Sequence, residues 1–257
     1  MDDALIEHKD ARGVVTLTMN RPANFNALSE EMLAALQAAL DRIAQDQSAR
    51  VVVLAASGKA FCPGHNLKEM IATPQLAYYQ ELFAQCSAMM LAILKLPVPV
   101  IARVHGIATA AGCQLVAQCD LAVASTEARF AVSGVNFGLF CATPSVPLLR
   151  NVLPKQAMEM LVTGDFISAQ QAVERGLVNR VTAPDQLDAE IEKLVASILA
   201  KPRAAIAMGK AVFYQQREMG IAAAYQLAGQ AMAVNMMDAC AQEGVTAFTE
   251  KRAPAWK

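Results

Sequence analysis

The sequence predicts an α/β fold, and three observations carry the prediction. Short apolar, β-branched runs alternate with longer segments of helical periodicity; several of those runs are apolar at consecutive positions, as in strands covered on both faces; and the last part of the chain keeps only the helical pattern. Taken in order, Ala4 to His8 and Val14 to Met19 read as a hairpin around the turn Asp10 to Gly13, which Arg21-Pro22 ends. Ser29 is suited to cap a helix with Glu30 and Glu31 in its first turn and Met32, Leu36, Leu40 and Ile43 on one face. Val51 to Leu54 is the next buried strand. After Pro74, the positions Leu76, Tyr79, Phe83, Cys86, Met90 and Ile93 mark a second helix, stopped by Pro97. Val98 to Val104 reads as a strand, the small residues Gly106 to Gly112 open a helix at Cys113 to Gln118, and Leu121 to Ala124 is a strand again. Strand, helix, strand in this order implies parallel pairing through helical crossovers, for which a doubly wound sheet is the default arrangement. From Asp185 the pattern is helical throughout, at Leu187 to Leu199, Arg203 to Arg217, Ile221 to Met237 and Gln242 to Lys251. The expected division is an α/β core over residues 1–195 and a helical part over 196–257.

Composition excludes several functions. With 22 Lys and Arg against 23 Asp and Glu, the net charge of -1 offers no basic footprint for nucleic acid or an anionic membrane. No run approaches the roughly 18 apolar residues of a membrane span, and the acidic start Met1-Asp2-Asp3 lacks the basic character of a targeting signal, so a cytoplasmic protein is expected. The 6 cysteines show no paired spacing, which fits reduced thiols. Cys62-x-x-His65 is half of a metal motif without a second half, no GxGxxG follows a strand, and Gly58-Lys59 lacks the rest of a phosphate loop. Neither a metal nor a prosthetic group is expected. The 13 Met and the apolar composition hint at subunit contacts.

Two segments remain in which small residues follow a strand and lead into a helix: Gly58 to Leu67, with a Pro63-Gly64 turn, and Gly106 to Gln114. Backbone N–H groups freed at such places bind anions, and two of them aimed at one carbonyl would polarise it. The alternative is that small residues merely let a helix pack closely on a strand.

The pair of segments resembles the crotonase or enoyl-CoA hydratase superfamily, over essentially the whole chain. Asn20-Arg21-Pro22 through Asn26-Ala27-Leu28 is similar to the family's opening motif, Phe61-Cys62-Pro63-Gly64-His65 to its first oxyanion segment, and Ala110 to Leu115 followed by Cys119-Asp120 to its second. Gly164, Ala169 to Ala172 and Gly176-Leu177-Val178 resemble the later helix-turn-strand stretch. Within the superfamily, Ala108 to Gln118 and Gly138 to Cys141 most resemble the enoyl-CoA hydratase domain-containing 3 branch. The resemblance implies a spiral of ββα units in place of the doubly wound sheet, a homotrimer formed through the helical C-terminal part and often paired into a hexamer, and a coenzyme A thioester as ligand. It places the thioester oxygen on the backbone N–H groups of His65 and Ala111, Lys68 near the CoA phosphates, Ala27 and Leu28 near the adenine and pantetheine, and Phe248 with Lys251 at a neighbouring subunit's CoA. Lys68 and Lys251 could equally be solvated charges, and Phe248 a packing residue.

A hydratase of this family resembles a two-glutamate device, and both matching positions depart from it, as Gln114 and Gly134. An amide orients water but cannot take its proton at neutral pH, and glycine does neither; each general acid or base is worth about 10²- to 10⁴-fold. The loop Gly138 to Pro144, which carries isomerase or dehalogenase carboxylates in relatives, holds no acid. The expected activity is therefore that of an acyl-CoA-binding, hydratase-like lyase with weak or altered hydration. The alternatives are a noncatalytic acyl-CoA-binding or assembly protein, and a decarboxylase or thioesterase using the same oxyanion site. Glu69, His65, Cys62 and Cys141 are candidate substitute groups, His105 a structural residue at a strand end, and Phe137, Phe140, Met70 and Ile71 candidate linings of an acyl tunnel.

Overall fold

Residues 3–256 are described by the computed structural model; Met1 and Asp2 of the acidic start, and Lys257, lie outside the described residues. The chain opens with the hairpin β1 (Leu5–Lys9) and β2 (Val14–Met19), then α1 (Glu30–Gln45) and β3 (Val51–Ala56). Ser29 caps α1, its side chain accepting from the Met32 N–H at 3.1 Å. Three turns of one pattern follow: β4 (Ala60–Cys62) with α2 (Leu67–Ala72) and α3 (Leu76–Lys95); β5 (Val100–Val104), β6 (Ile107–Thr109) and α4 (Ala111–Gln118); β7 (Leu121–Ser125), β8 (Arg129–Ala131) and α5 (Ala142–Asn151). After α6 (Pro154–Thr163) come β9 (Ile167–Ser168), α7 (Ala169–Glu174) and β10 (Arg180–Thr182), then α8 (Leu187–Leu199), α9 (Arg203–Gln216), α10 (Ile221–Met236) and α11 (Ala239–Thr249).

The strands form a six-stranded sheet in the order β1-β2-β3-β5-β7-β10 and a four-stranded sheet in the order β4-β6-β8-β9. Each turn of chain therefore places one strand in the large sheet, the next in the small sheet, and then a helix. This is the ββα spiral, and it corrects the doubly wound default: successive strands add to one side of each sheet, with no reversal of strand order. Pairing is parallel except for β1 with β2 and β8 with β9.

The unbroken apolar runs have a direct cause. Val52 and Leu54 face the main core with Met32, Leu36 and Ile43 of α1, while Val51, Val53 and Ile101 face a second cluster with Leu187, Ile191 and Val195 of α8. Both faces of the large sheet are covered, so alternation disappears. Burial along α3 falls on Leu82, Cys86, Met89, Met90 and Ile93, while Leu76, expected on that face, is exposed at the start of the helix.

Downstream, α9 is fastened to the core by one buried cation. Lys210 Nζ donates to Ile93 O (2.8 Å), Val98 O (3.0 Å) and Asp120 Oδ2 (2.6 Å), and the Tyr214 hydroxyl donates to Asp120 Oδ1 (2.8 Å). Removing one member of such a buried pair typically costs about 3–5 kcal/mol. By contrast α10 buries none of its residues, and Ile221, Tyr225, Met232 and Met237 stand exposed. Among the described residues no helix is long and apolar enough to cross a membrane.

Candidate functional site

Two backbone segments meet at the end of the small sheet. The first follows β4. Asn26, fully buried, accepts from the Arg21 N–H (2.8 Å) and donates to Ser57 O (2.8 Å) and Ala60 O (3.0 Å), locking the loop before α1 against the strand. That loop then pairs with Pro63 to Asn66: the Leu28 N–H donates to Gly64 O (2.8 Å) and the Asn66 N–H to Leu28 O (3.4 Å). His65, between them, donates its own N–H to no acceptor among the described residues.

The second segment is the start of α4. The helix begins at Ala111, two residues before the Cys113 that small-residue reading suggested, because Ala110 turns the chain sharply at φ 49°, ψ -121°. A non-glycine residue in that region is strained by about 1–3 kcal/mol and persists only where its surroundings impose it. Here the Ala110 N–H is held by Ala131 O (3.0 Å), and Ala110 O accepts from the Gln114 N–H (3.0 Å). The Ala111 N–H, in the first turn, has no intrahelical partner and donates to no other acceptor among the described residues. Glycines set the distance between the two segments. A β-carbon on Gly64 would lie 3.2 Å from Ala111 N, and one on Gly112 would lie 2.0 Å from Cys62 O.

Both segments line a cavity of about 650 Å³, together with Ala27, Lys68, Met70, Phe83, Gly134, Phe137, Phe140 and Cys141. Among the described residues no carboxylate lines it. The His65 ring packs edge-on against Phe83, centroids 5.5 Å apart, and neither ring nitrogen has a hydrogen-bond partner among the described residues. Burial pushes the imidazole below its ordinary pKa, with the Leu28 backbone opposing in part. Two free N–H donors, a neutral imidazole and apolar walls suit a carbonyl group carried on an apolar chain.

The other sequence candidates fall in several places. Gln114 is buried but does not line this cavity; it lines a second one of about 520 Å³, and its Oε1 has no partner among the described residues. Gly134 lies at the first cavity, and the space its side chain would fill is taken by Leu139 O at 2.4 Å and Cys141 Sγ at 2.7 Å. Leu28 contributes its backbone only. Glu69 faces away, Oε2 accepting from the Glu30 N–H (3.1 Å) and Oε1 from Asn66 Nδ2 (2.9 Å), so it helps to cap α1 and is not among the lining residues. Cys62 is fully buried with its thiol pushed up to about 12 by burial, and the Cys141 thiol is raised for the same reason while its sulfur accepts from the Gly134 N–H at 3.3 Å. Ile71 does not line the cavity, whereas Met70, Phe137 and Phe140 do, although Phe137 and Phe140 are also exposed. Phe248 and Lys251 lie at the end of α11, outside the cavity, with Phe248 84% exposed. His105 Nε2 donates to Gly58 O (3.0 Å), as a strand-end residue should. Sequence reasoning missed Phe83 as a wall and Asn26 as an anchor; positive φ at Phe25 and Asn26 leaves no periodic trace.

Comparison with known proteins gives this geometry a family. The sequence profile of the enoyl-CoA hydratase/isomerase family matches residues 9–257. The chain belongs to that family. It is 44% identical to the enoyl-CoA hydratase domain-containing protein 3 of Rattus norvegicus over 95% of this chain and 81% of that protein. A crystal structure of an enoyl-CoA hydratase from Mycobacterium smegmatis is similar with TM-score 0.98 at 65% identity, covering 99% of both chains. The human domain-containing protein 3 superposes with TM-score 0.94 at 42% identity, covering 98% of this chain and 100% of that one. The mixed α/β crotonase fold expected from the motifs is thus shown, as is the likeness to the domain-containing 3 branch. Members of this family bind CoA thioesters as substrates, and relatives include enoyl-CoA hydratases.

Proposed function

We propose that the first cavity binds an acyl-CoA thioester, whose carbonyl oxygen accepts from the backbone N–H groups of His65 and Ala111, and that hydration by the family's two-carboxylate route is weak. The absence of any carboxylate from the cavity lining among the described residues carries this reading. Gln114 and Gly134 occupy the positions that the family resemblance assigns to the glutamates, and neither can take a proton from water. Lys68 stands at the cavity wall and is exposed, where its ammonium meets phosphate, and Ala27 lines the same cavity, while Leu28 is fully buried and holds the Gly64 to Asn66 segment through its backbone. A retained N–H pair still stabilises charge that develops on a thioester oxygen, worth about 10²- to 10³-fold per donor.

The test measures binding and turnover on one preparation. Crotonyl-CoA is expected to bind by calorimetry, more weakly in Lys68→Ala, while loss of its conjugated absorbance proceeds at least about 10³-fold more slowly than in a two-carboxylate hydratase assayed alongside. Fast hydration would overturn the reading. The buried, uncharged surroundings also favour a noncatalytic acyl-CoA-binding role, which release of CO₂ or free CoA from any acyl-CoA would exclude in favour of decarboxylase or thioesterase chemistry. The exposed apolar side chains of α10 and α11, including Phe248, support assembly as a homotrimer or a hexamer in which Phe248 and Lys251 approach a neighbour's CoA; light scattering at a mass of three or six chains tests it.

A further inference from the structure

The second cavity is lined by residues of α3, α4, α5 and α9, and Thr143 lines both cavities. Its walls combine apolar side chains, among them Met90, Leu94 and Phe213, with the Gln114 amide. Gln114 is only 4% exposed and its Oε1 has no hydrogen-bond partner among the described residues, a state that costs free energy unless a water donates to it.

Charge is distributed unevenly around this space. Asp120 is neutralised by Lys210 at 2.6 Å, and Arg150 by Glu218 at 3.2 Å. The remaining cation is Arg217: among the described residues it pairs with no carboxylate, donating to Arg150 O and lying 5.6 Å over the Phe213 ring. The lining thus carries one uncompensated positive charge beside apolar walls and a buried amide. That chemistry fits a carboxylate at the end of an apolar chain, the chain on Met90 and Leu94 and the carboxylate on Arg217.

We infer that the second cavity is a carboxylate-end site for an apolar chain, filled either by the distal end of a ω-carboxyacyl thioester held in the first cavity or by a free medium-chain carboxylate. The thioester source rests on the proposed function; the free source does not. The experiment uses the full chain and calorimetric titration with three probes: adipyl-CoA, its methyl-ended counterpart hexanoyl-CoA, and free octanoate. Adipyl-CoA is expected to bind about ten- to a hundredfold more tightly than hexanoyl-CoA, the range of a charge-assisted contact. Arg217→Gln, at an exposed position, should erase that preference while leaving hexanoyl-CoA unchanged, and Arg217→Lys should retain part of it. If no thioester binds yet octanoate does, and Arg217→Gln abolishes it, the proposed function fails while the carboxylate site stands with the free acid as its source. Equal binding of the two thioesters together with octanoate binding that is absent or indifferent to Arg217→Gln overturns the inference.

Discussion

The backbone half and the side-chain half of the candidate site are built in opposite ways. His65 and Ala111 present main-chain N–H groups held by a strained Ala110, by Gly64 and by the contact of Gly112 with β4. Gln114, Gly134 and Cys141 present side chains, or none, and supply no carboxylate to the first cavity. The difference teaches that the two halves can change independently, because donors of the first kind depend on chain path and acid–base groups of the second on side-chain identity.

The sharpest way to break this comparison is at Gly112. Gly112→Ala places a β-carbon 2.0 Å from Cys62 O, so the two backbone segments must separate. The expected loss is at least about 3 kcal/mol by urea denaturation, with thioester binding lost in whatever folds. An unchanged midpoint would show that the segments are not tightly coupled. The side-chain half is tested at Gly134. Because Leu139 O and Cys141 Sγ occupy the space, Gly134→Glu should destabilise by about 1–3 kcal/mol and fail to restore crotonyl-CoA hydration even beside Gln114→Glu. Recovery of hydration in that double variant would mean that the loop from Gly138 to Cys141 yields.

Ala110→Gly probes the strain without moving the donor. Relief of the positive φ, offset by glycine's added chain entropy, should stabilise by about 1 kcal/mol with thioester affinity unchanged. Histidine protonation is a gentler probe. The pKa of His65 is lowered by burial, so the folded state favours the neutral ring; its contribution is complete above the ordinary value of 6.5 and is lost as pH falls below that value through the folded-state pKa. His65→Phe should flatten the loss of stability below pH 6.5, and His105, lowered in the same direction, should leave a residual slope. Thiol titration should read fewer than the full 6 cysteines in the native protein and all 6 after denaturation, since Cys62 and Cys113 are buried with thiols pushed up to about 12.

Legibility in the sequence followed element length and burial. The hairpin, β3, β5, β7 and the helices α1, α3 and α8 to α11 carry period or unbroken apolarity, and each was readable. Strands β4, β6, β8 and β9 have only two or three residues, too few for any period, and so the small sheet was out of reach of patterning. Helix α5 contains Pro144 and Pro147, signals that argue against a helix, yet both are buried within it. At the site, motif resemblance located His65, Ala111 and Gly134 at one cavity, whereas the placement of Gln114 at the second needed coordinates, since spacing along a helix does not tell which of two cavities a buried residue lines.

The Lys210 fastening bears on how the chain is made. Its bonds reach back 117, 112 and 90 residues, to Ile93, Val98 and Asp120. During synthesis the core strands emerge long before this lysine, so the Asp120 carboxylate waits on the nascent chain with no cation to meet it. Contacts of such long sequence separation form late, and until α9 docks the Asp120 carboxylate has, among the described residues, only the Val100 N–H (2.7 Å) as its partner from the core. Closing this site is thus a late step of folding, completed only when α9 packs back on the core.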